Sequence, residues 1–223
     1  MTYKFAKLLL GVMFGLLLAA LPAAAAVLTT STFPLAGKSV ERAETTLGNL
    51  FADALRPAAN ADLAFVNASQ IRPVNLPAGP ITDEQIASVV AYPDETIALV
   101  QLKGSVVTAC LERGLSQLPR INKGFLQISG LTVKFDSGKY AGKRIIEIKI
   151  GDKPLEANKI YKAAMPLSLA KGSGGYFTIL NGSRVKPLDT TLQAAIASYL
   201  KTRGATSAKS DTPRLEDIAK TKD

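Results

Sequence analysis

Three short stretches carry the side chains that could do covalent or phosphate chemistry. The first is Cys110, the sole cysteine of 223 residues. A thiol attacks as its thiolate and needs a base or a positive neighbour to form it. Histidine, the usual base, is absent from the sequence. Cys110 stands beside Val106, Val107, Leu111 and Leu115 in a helical pattern, so it reads as a small buried apolar residue, and without a second cysteine it forms no internal disulfide. The second stretch is Ser168-Leu-Ala-Lys171, the S-x-x-K spacing in which a lysine deprotonates a serine. That pair recurs by chance, and no companion S-D-N or K-T-G element stands in a sensible place, so acyl transfer is not expected. The third is the run Gly172, Gly174 and Gly175. It lacks the Walker spacing of a phosphate cradle and reads as a turn between strand and helix. The missing histidines also withdraw the imidazoles that suit borderline transition metals. The expectation is no catalytic residue, no metal ligand set and no cofactor in this chain.

The chain opens with Lys4 and Lys7, runs through apolar residues from Leu8 to Leu21, and reaches Pro22 followed by alanines to Ala26. A basic start, a short apolar middle and a small-residue end describe a secretory signal peptide over residues 1–26. The apolar run is shorter than the ~20 residues a membrane-spanning helix needs. Cleavage near Ala24 to Ala26 leaves a periplasmic or secreted protein with no membrane anchor. Taking Lys4 and Lys7 from the formal charge of +9 leaves +7. Such an excess suits phosphate-bearing ligands or anionic surfaces. The basic residues are scattered and the aromatics, 6% of the chain, are too dispersed for a stacking platform, which argues against nucleic acid as a partner.

The elements that must position any site follow from hydrophobic period. Residues 27–43 read as an extended entry segment. From Glu44, the residues Leu47, Leu50, Phe51, Ala54 and Leu55 fall on one helical face, closed by Pro57. Leu63 to Val66 is a short apolar strand leading into the loop Asn67 to Arg72. Thr82 and Gln85 make a capping box for a second helix with Ile86, Val89 and Val90. Thr96 to Leu102 is a strand, Gly104 to Leu118 a helix stopped by Pro119, and Phe125 to Ser129, Leu131 to Phe135 and Arg144 to Ile150 are successive strands. In the last, Ile146, Ile148 and Ile150 share one face. Ile160 to Met165 is a further strand. A final helix carries Leu188, Leu192, Ala195, Ile196, Tyr199 and Leu200. Residues 204–223 turn polar and read as a frayed tail with one short turn around Leu215. Interleaved helices and strands with hairpin-like and crossover-like links predict an α+β fold, a mixed β-sheet packed with helices, as one domain over residues 27–203.

Seven blocks, in order from about Glu41 to Leu200, resemble the C-terminal domain of the 5'-nucleotidase family. Glu44-Thr-Thr-Leu-Gly-Asn-Leu-Phe-Ala-Asp-Ala-Leu55 is similar to its E-x-x-L-G-N-L-x-x-D-A-L helix, and Asn67-Ala-Ser-Gln-Ile-Arg72 to its N-x-G-G-I-R loop. Gly79-Pro-Ile-Thr82 resembles G-x-I-T, and Val90-Ala-Tyr-Pro93 stands where the family has V-x-P-F. Leu99-Val-Gln-Leu-Lys-Gly104 resembles L-V-x-x-x-L-T-G, Gly124-Phe-Leu-Gln-Ile-Ser-Gly130 resembles G-x-F-L-Q-V-S-G, and Leu169-Ala-Lys-Gly-Ser-Gly-Gly-Tyr176 resembles L-A-x-G-G-D-G-Y.

The resemblance implies a division of labour. In the family an N-terminal metallophosphoesterase domain cleaves the phosphoester, and the C-terminal domain supplies arginines for the phosphate and two aromatic rings that sandwich the base. Carried over, Arg72 is the loop arginine, Asn67 the loop asparagine and Tyr92 the first stacking ring, while Arg42 lies one residue out of register from a second phosphate-contacting arginine. Arginine's planar fork matches phosphate oxygens in pairs, and stacking holds a base with ~1–3 kcal/mol. Four positions depart. Ser69 and Gln70 replace the loop glycines, Ser168 falls on the second stacking ring, and Gly174 falls on the aspartate of G-G-D-G. With the metal domain missing, the expected function is a non-catalytic module binding a nucleotide or other phosphate ester. The alternatives are an accessory subunit completing a separate metallophosphoesterase in trans, or an interaction protein with a decayed pocket.

Overall fold

The computed structural model describes residues 26–209 and 212–221; the expected signal peptide, apart from Ala26, lies outside the described residues. In chain order the elements are β1 (Val27–Ser31), α1 (Thr46–Ala58), β2 (Leu63–Asn67), β3 (Gly79–Thr82), α2 (Asp83–Val89), β4 (Thr96–Lys103), α3 (Gly104–Leu115), β5 (Leu126–Ser129), β6 (Leu131–Phe135), β7 (Ile145–Ile150), β8 (Lys153–Pro154), β9 (Ile160–Pro166), α4 (Leu167–Ala170), α5 (Phe177–Leu180), β10 (Arg184–Thr191), α6 (Leu192–Arg203) and β11 (Leu215–Asp217). A central sheet runs β10-β4-β9-β2-β5, a second runs β11-β6-β7-β8, and β1 pairs with β3. Within the central sheet only β2 and β9 are parallel; its other pairings are antiparallel. Mixed sheets packed with helices are the expected α+β architecture.

The apolar stripe of α1 explains the core. Leu47, Leu50, Phe51, Ala54 and Leu55 are buried on it, and β2 is buried along its whole length. Each such Leu or Phe contributes about 1.5–3 kcal/mol by leaving water. Thr45 caps α1, its hydroxyl accepting from the Gly48 amide at 3.0 Å. Behind the cap lies Gln127 of β5, fully buried. Its Oε1 accepts from the Thr45 amide at 3.1 Å, and its Nε2 donates to the carbonyls of Val40 and Ala43 at 3.0 and 2.8 Å. A Cβ on Gly48 would stand 2.2 Å from Gln127 Oε1, so the glycine is needed for close approach of helix and sheet. At α2 the capping box is complete: Gln85 N–H donates to Thr82 Oγ1 and Thr82 N–H to Gln85 Oε1.

Four local expectations are corrected. The residue Leu188 lies on β10, an antiparallel edge strand beside β4, and the last helix starts only at Leu192. Pro187 hid that strand, being tolerated only where a ladder donor is not needed. A bulge sets Ile145 opposite Phe135 and Glu147 opposite Lys134, which turns Ile146 outward to 47% exposure. Helix α3 stops at Leu115, short of Pro119, because distant groups take its last carbonyls: Asn122 Nδ2 donates to Gly114 at 2.9 Å, and Arg144 donates to Leu115 and Leu118. Finally, where a short turn was expected near Leu215, β11 pairs in parallel with β6.

That last strand is held by polar residues of α1 and of the segment just before it. Arg214 Nη1 and Nη2 donate to both oxygens of Asp53 at 2.8 and 2.9 Å, and Nη1 also reaches the Ile128 carbonyl at 2.8 Å. Ser129 Oγ donates to the same carboxylate at 2.6 Å. Glu44 accepts the amides of Arg214 and Leu215 on Oε2 and Asn49 Nδ2 on Oε1. Glu44, Asn49 and Asp53 of the first motif therefore serve architecture. Since the ion pair is largely shielded, with side chains 13% and 7% exposed, removing one partner strands the other. Asp53→Ala is expected to lower stability by about 3 kcal/mol in urea denaturation and to speed tryptic cleavage after Lys209; unchanged values for both would refute the anchoring role.

Cys110 is buried and its thiol is pushed from the usual 9.0 up to about 12 by loss of solvation. Between these pH values the unfolded thiol has lost its proton while the folded one keeps it, so stability falls as pH rises through that window and is unaffected by this group below it. Comparing urea midpoints, the wild type should lose stability more steeply than Cys110→Ala across this range, and parallel pH profiles would refute the burial argument.

Candidate functional site

Topology gathers three connections at one edge of the central sheet. Because β2 and β9 are parallel and β4 is antiparallel to β9, the end of β2, the end of β9 and the start of β4 emerge together. The loop after β2 is fixed by backbone bonds on two sides. The amides of Ala68 and Ser69 donate to the carbonyls of Phe125 and Lys123 at 2.8 and 3.0 Å. The Ala91 amide donates to Gln70 O at 2.9 Å, and the Arg72 amide to Val89 O at 2.8 Å.

Gln70 joins the three connections through its side chain, which is only 2% exposed. Its Nε2 donates to Ser168 Oγ at 3.0 Å and to Glu95 Oε2 at 3.3 Å, while Glu95 Oε1 accepts from the Ser168 amide at 2.8 Å. Two positions where the sequence departs from the family pattern, Gln70 and Ser168, are thus bonded to each other. Glu95, the third member, went unremarked in the sequence, since no motif or period marks it. Asn67 is wholly buried and donates from Nδ2 to Ser69 Oγ at 2.5 Å.

The remaining expected residues separate into two places. Arg72 is exposed; its Nη1 donates to the carbonyls of Ala87 and Ser88 at 3.3 and 2.9 Å, capping the end of α2. These bonds use Nη1 alone and orient the outer edge of the guanidinium. Tyr92, on the turn closed by the Glu95 amide bonding to Tyr92 O, is 56% exposed. Its order, Tyr92 before Pro93, reverses that of the family motif. Asn67, Arg72 and Tyr92 thus stand on neighbouring connections. Arg42 does not join them: it lines a separate cleft of about 250 Å³ with Ser39, Leu118, Pro119, Ser137 and Asp217.

The glycine turn is built for packing. Arg113 Nη2 and Nε donate to the carbonyls of Gly174 and Gly175 at 2.8 and 3.3 Å, and buried Tyr176 donates its hydroxyl to Gly124 O at 2.6 Å. A Cβ on Gly172, at φ +97°, would lie 2.4 Å from Phe177 Cα. Arg113 thus takes two carbonyls of the turn and fixes it to α3. Ser168 Oγ, the would-be nucleophile of the S-x-x-K spacing, is engaged by Gln70. Among the described residues no group of three or more His, Cys, Asp and Glu side chains is arranged to hold a metal ion, and the chain's donor set does not fit a paired-metal phosphoesterase centre. What the edge offers is an oriented arginine, an exposed ring and a cluster of acceptors.

Comparison with known proteins gives the family. The chain is 29% identical over 182 residues to the snake venom 5'-nucleotidase of Naja atra, covering 72% of this chain and 34% of that protein. It is 27% identical over 188 residues to the trifunctional nucleotide phosphoesterase protein YfkN of Bacillus subtilis (strain 168), covering 80% of this chain and 13% of that one. It therefore spans about a third or less of these relatives' lengths. Among solved structures, the 5'-nucleotidase precursor from Thermus thermophilus superposes with a TM-score of 0.73 at 28% identity, over 86% of this chain and 39% of that chain. The profile described as "5'-nucleotidase, C-terminal domain" matches residues 24–182, and with that match over most of its length the chain belongs to the 5'-nucleotidase C-terminal domain family.

Proposed function

We propose that this chain is an exported, non-catalytic recognition module that binds a nucleotide or another phosphate ester at the edge formed by Asn67, Arg72 and Tyr92. The observation that carries the reading is Arg72. Its guanidinium is exposed yet oriented by two carbonyls at the end of α2, leaving Nε and Nη2 outside those bonds for a pair of phosphate oxygens. The absence of histidine and the engagement of Ser168 support binding without chemistry. Export rests on the basic-apolar-alanine start of the sequence. Among the described residues no helix is long and apolar enough to cross a membrane.

A second reading is an accessory role, in which a separate metallophosphoesterase supplies the metals and this chain its recognition surface. It is favoured by one observation: the relatives it matches in part carry the names nucleotidase and phosphoesterase. The proposal is tested by calorimetry with inorganic phosphate, AMP and UDP-glucose. Heat of binding is expected with at least one of them, and Arg72→Ala should weaken it roughly tenfold or more, as expected for hydrogen bonds to a charged group. Equal affinity in that variant would remove Arg72 from the site, and steady hydrolysis of AMP by pure protein with added manganese or zinc would refute the non-catalytic reading.

A further inference from the structure

The amides of Asn67 and Gln70 are only half spent. Asn67 Oδ1 and Gln70 Oε1 are both buried without a hydrogen-bond partner, though their residues are 0% and 2% exposed. The Gln70 orientation is set by its surroundings: Glu95 can only accept, so Nε2 faces it and Oε1 faces away. The unspent atom of the Gln70 amide is thus an acceptor, beside a carboxylate. Buried acceptors of this kind call for N–H or O–H donors.

Shape points the same way. The Gln70 amide crosses from the loop to Ser168 Oγ and Glu95, so a side chain fills the space between the loop, the start of β4 and α4. A flat ring has no slot there while that bridge stands. The exposed ring of Tyr92 has Ser168, not a second ring, at the position the family pattern pairs with it.

We infer that the organic part of the ligand is a small polyol or amino alcohol carried on a phosphate monoester, and that nucleotides are disfavoured. This rests on the proposed phosphate-ester reading: Arg72 takes the phosphate, and the ligand's hydroxyl or ammonium hydrogens turn to Glu95 and, by a rotation of the Gln70 amide that leaves its side chain in place, to Gln70 Oε1. The ligand thereby pairs the Gln70 acceptor that the closed bridge leaves unsatisfied.

The test titrates the full chain calorimetrically with ribose 5-phosphate, AMP and inorganic phosphate. Ribose 5-phosphate should bind roughly tenfold or more tightly than either of the others, the order expected when a site is built for ligand hydroxyls. The variant Gln70→Gly/Ser168→Phe, verified as folded by its circular dichroism, should lose that preference and gain AMP affinity. An AMP preference in the wild type overturns this inference while sparing the phosphate-ester reading. Equal affinity for ribose 5-phosphate and phosphate also overturns it. Silence with all three ligands overturns both.

Discussion

One carboxylate ties the functional edge of this protein together. Glu95 accepts from the Ser168 amide and from the Gln70 side chain, and so links the connections after β2 and β9 to the one before β4. The pairing of those strands brings the segments within reach; the carboxylate sets the distances between them. A hydrogen bond to a charged group is worth about 1.5–3 kcal/mol, enough to hold a loop-built site in one arrangement. The same bridge closes the space that the resemblance assigns to a base, so under the proposed reading rigidity and ligand preference share one cause.

The family motifs serve mainly to hold the fold. Gly48 makes room for Gln127, Gln127 fixes the entry to α1, and Glu44, Asn49 and Asp53 receive the chain's closing segment. Gly124 and Tyr176 bond across the glycine turn. Each of these residues has a partner brought to it by the fold. The residues that would touch a ligand are fewer, and among them the chain departs: Ser69, Gln70, Ser168 and Gly174. Shared architecture with an altered edge is what a module with a changed ligand requires.

Hydrophobic period made α1 legible, because burial of one face imposes it, and short apolar runs marked β2, β4 and β9. The capping box at Thr82 and Gln85 was equally readable, since both partners lie within one turn. What escaped reading depends on distant partners. Helix α3 ends where Arg144 and Asn122 reach its carbonyls, and β11 forms because Glu44 and Asp53 lie far back in the chain. At the site, the loop asparagine and arginine could be located by motif. Glu95 could not, because an isolated carboxylate has no periodic or motif signature. The pairing of Gln70 with Ser168 emerges only when β2 and β9 are laid side by side.

The central claim is that ligand recognition resides at the edge organised by Glu95. The most direct measurement is a map of amide and side-chain NMR shifts as ribose 5-phosphate and then inorganic phosphate are added. The account predicts changes concentrated at residues 67–72, 91–95 and 167–170, including the Gln70 side-chain amide. Changes centred on the Arg42 cleft would contradict it.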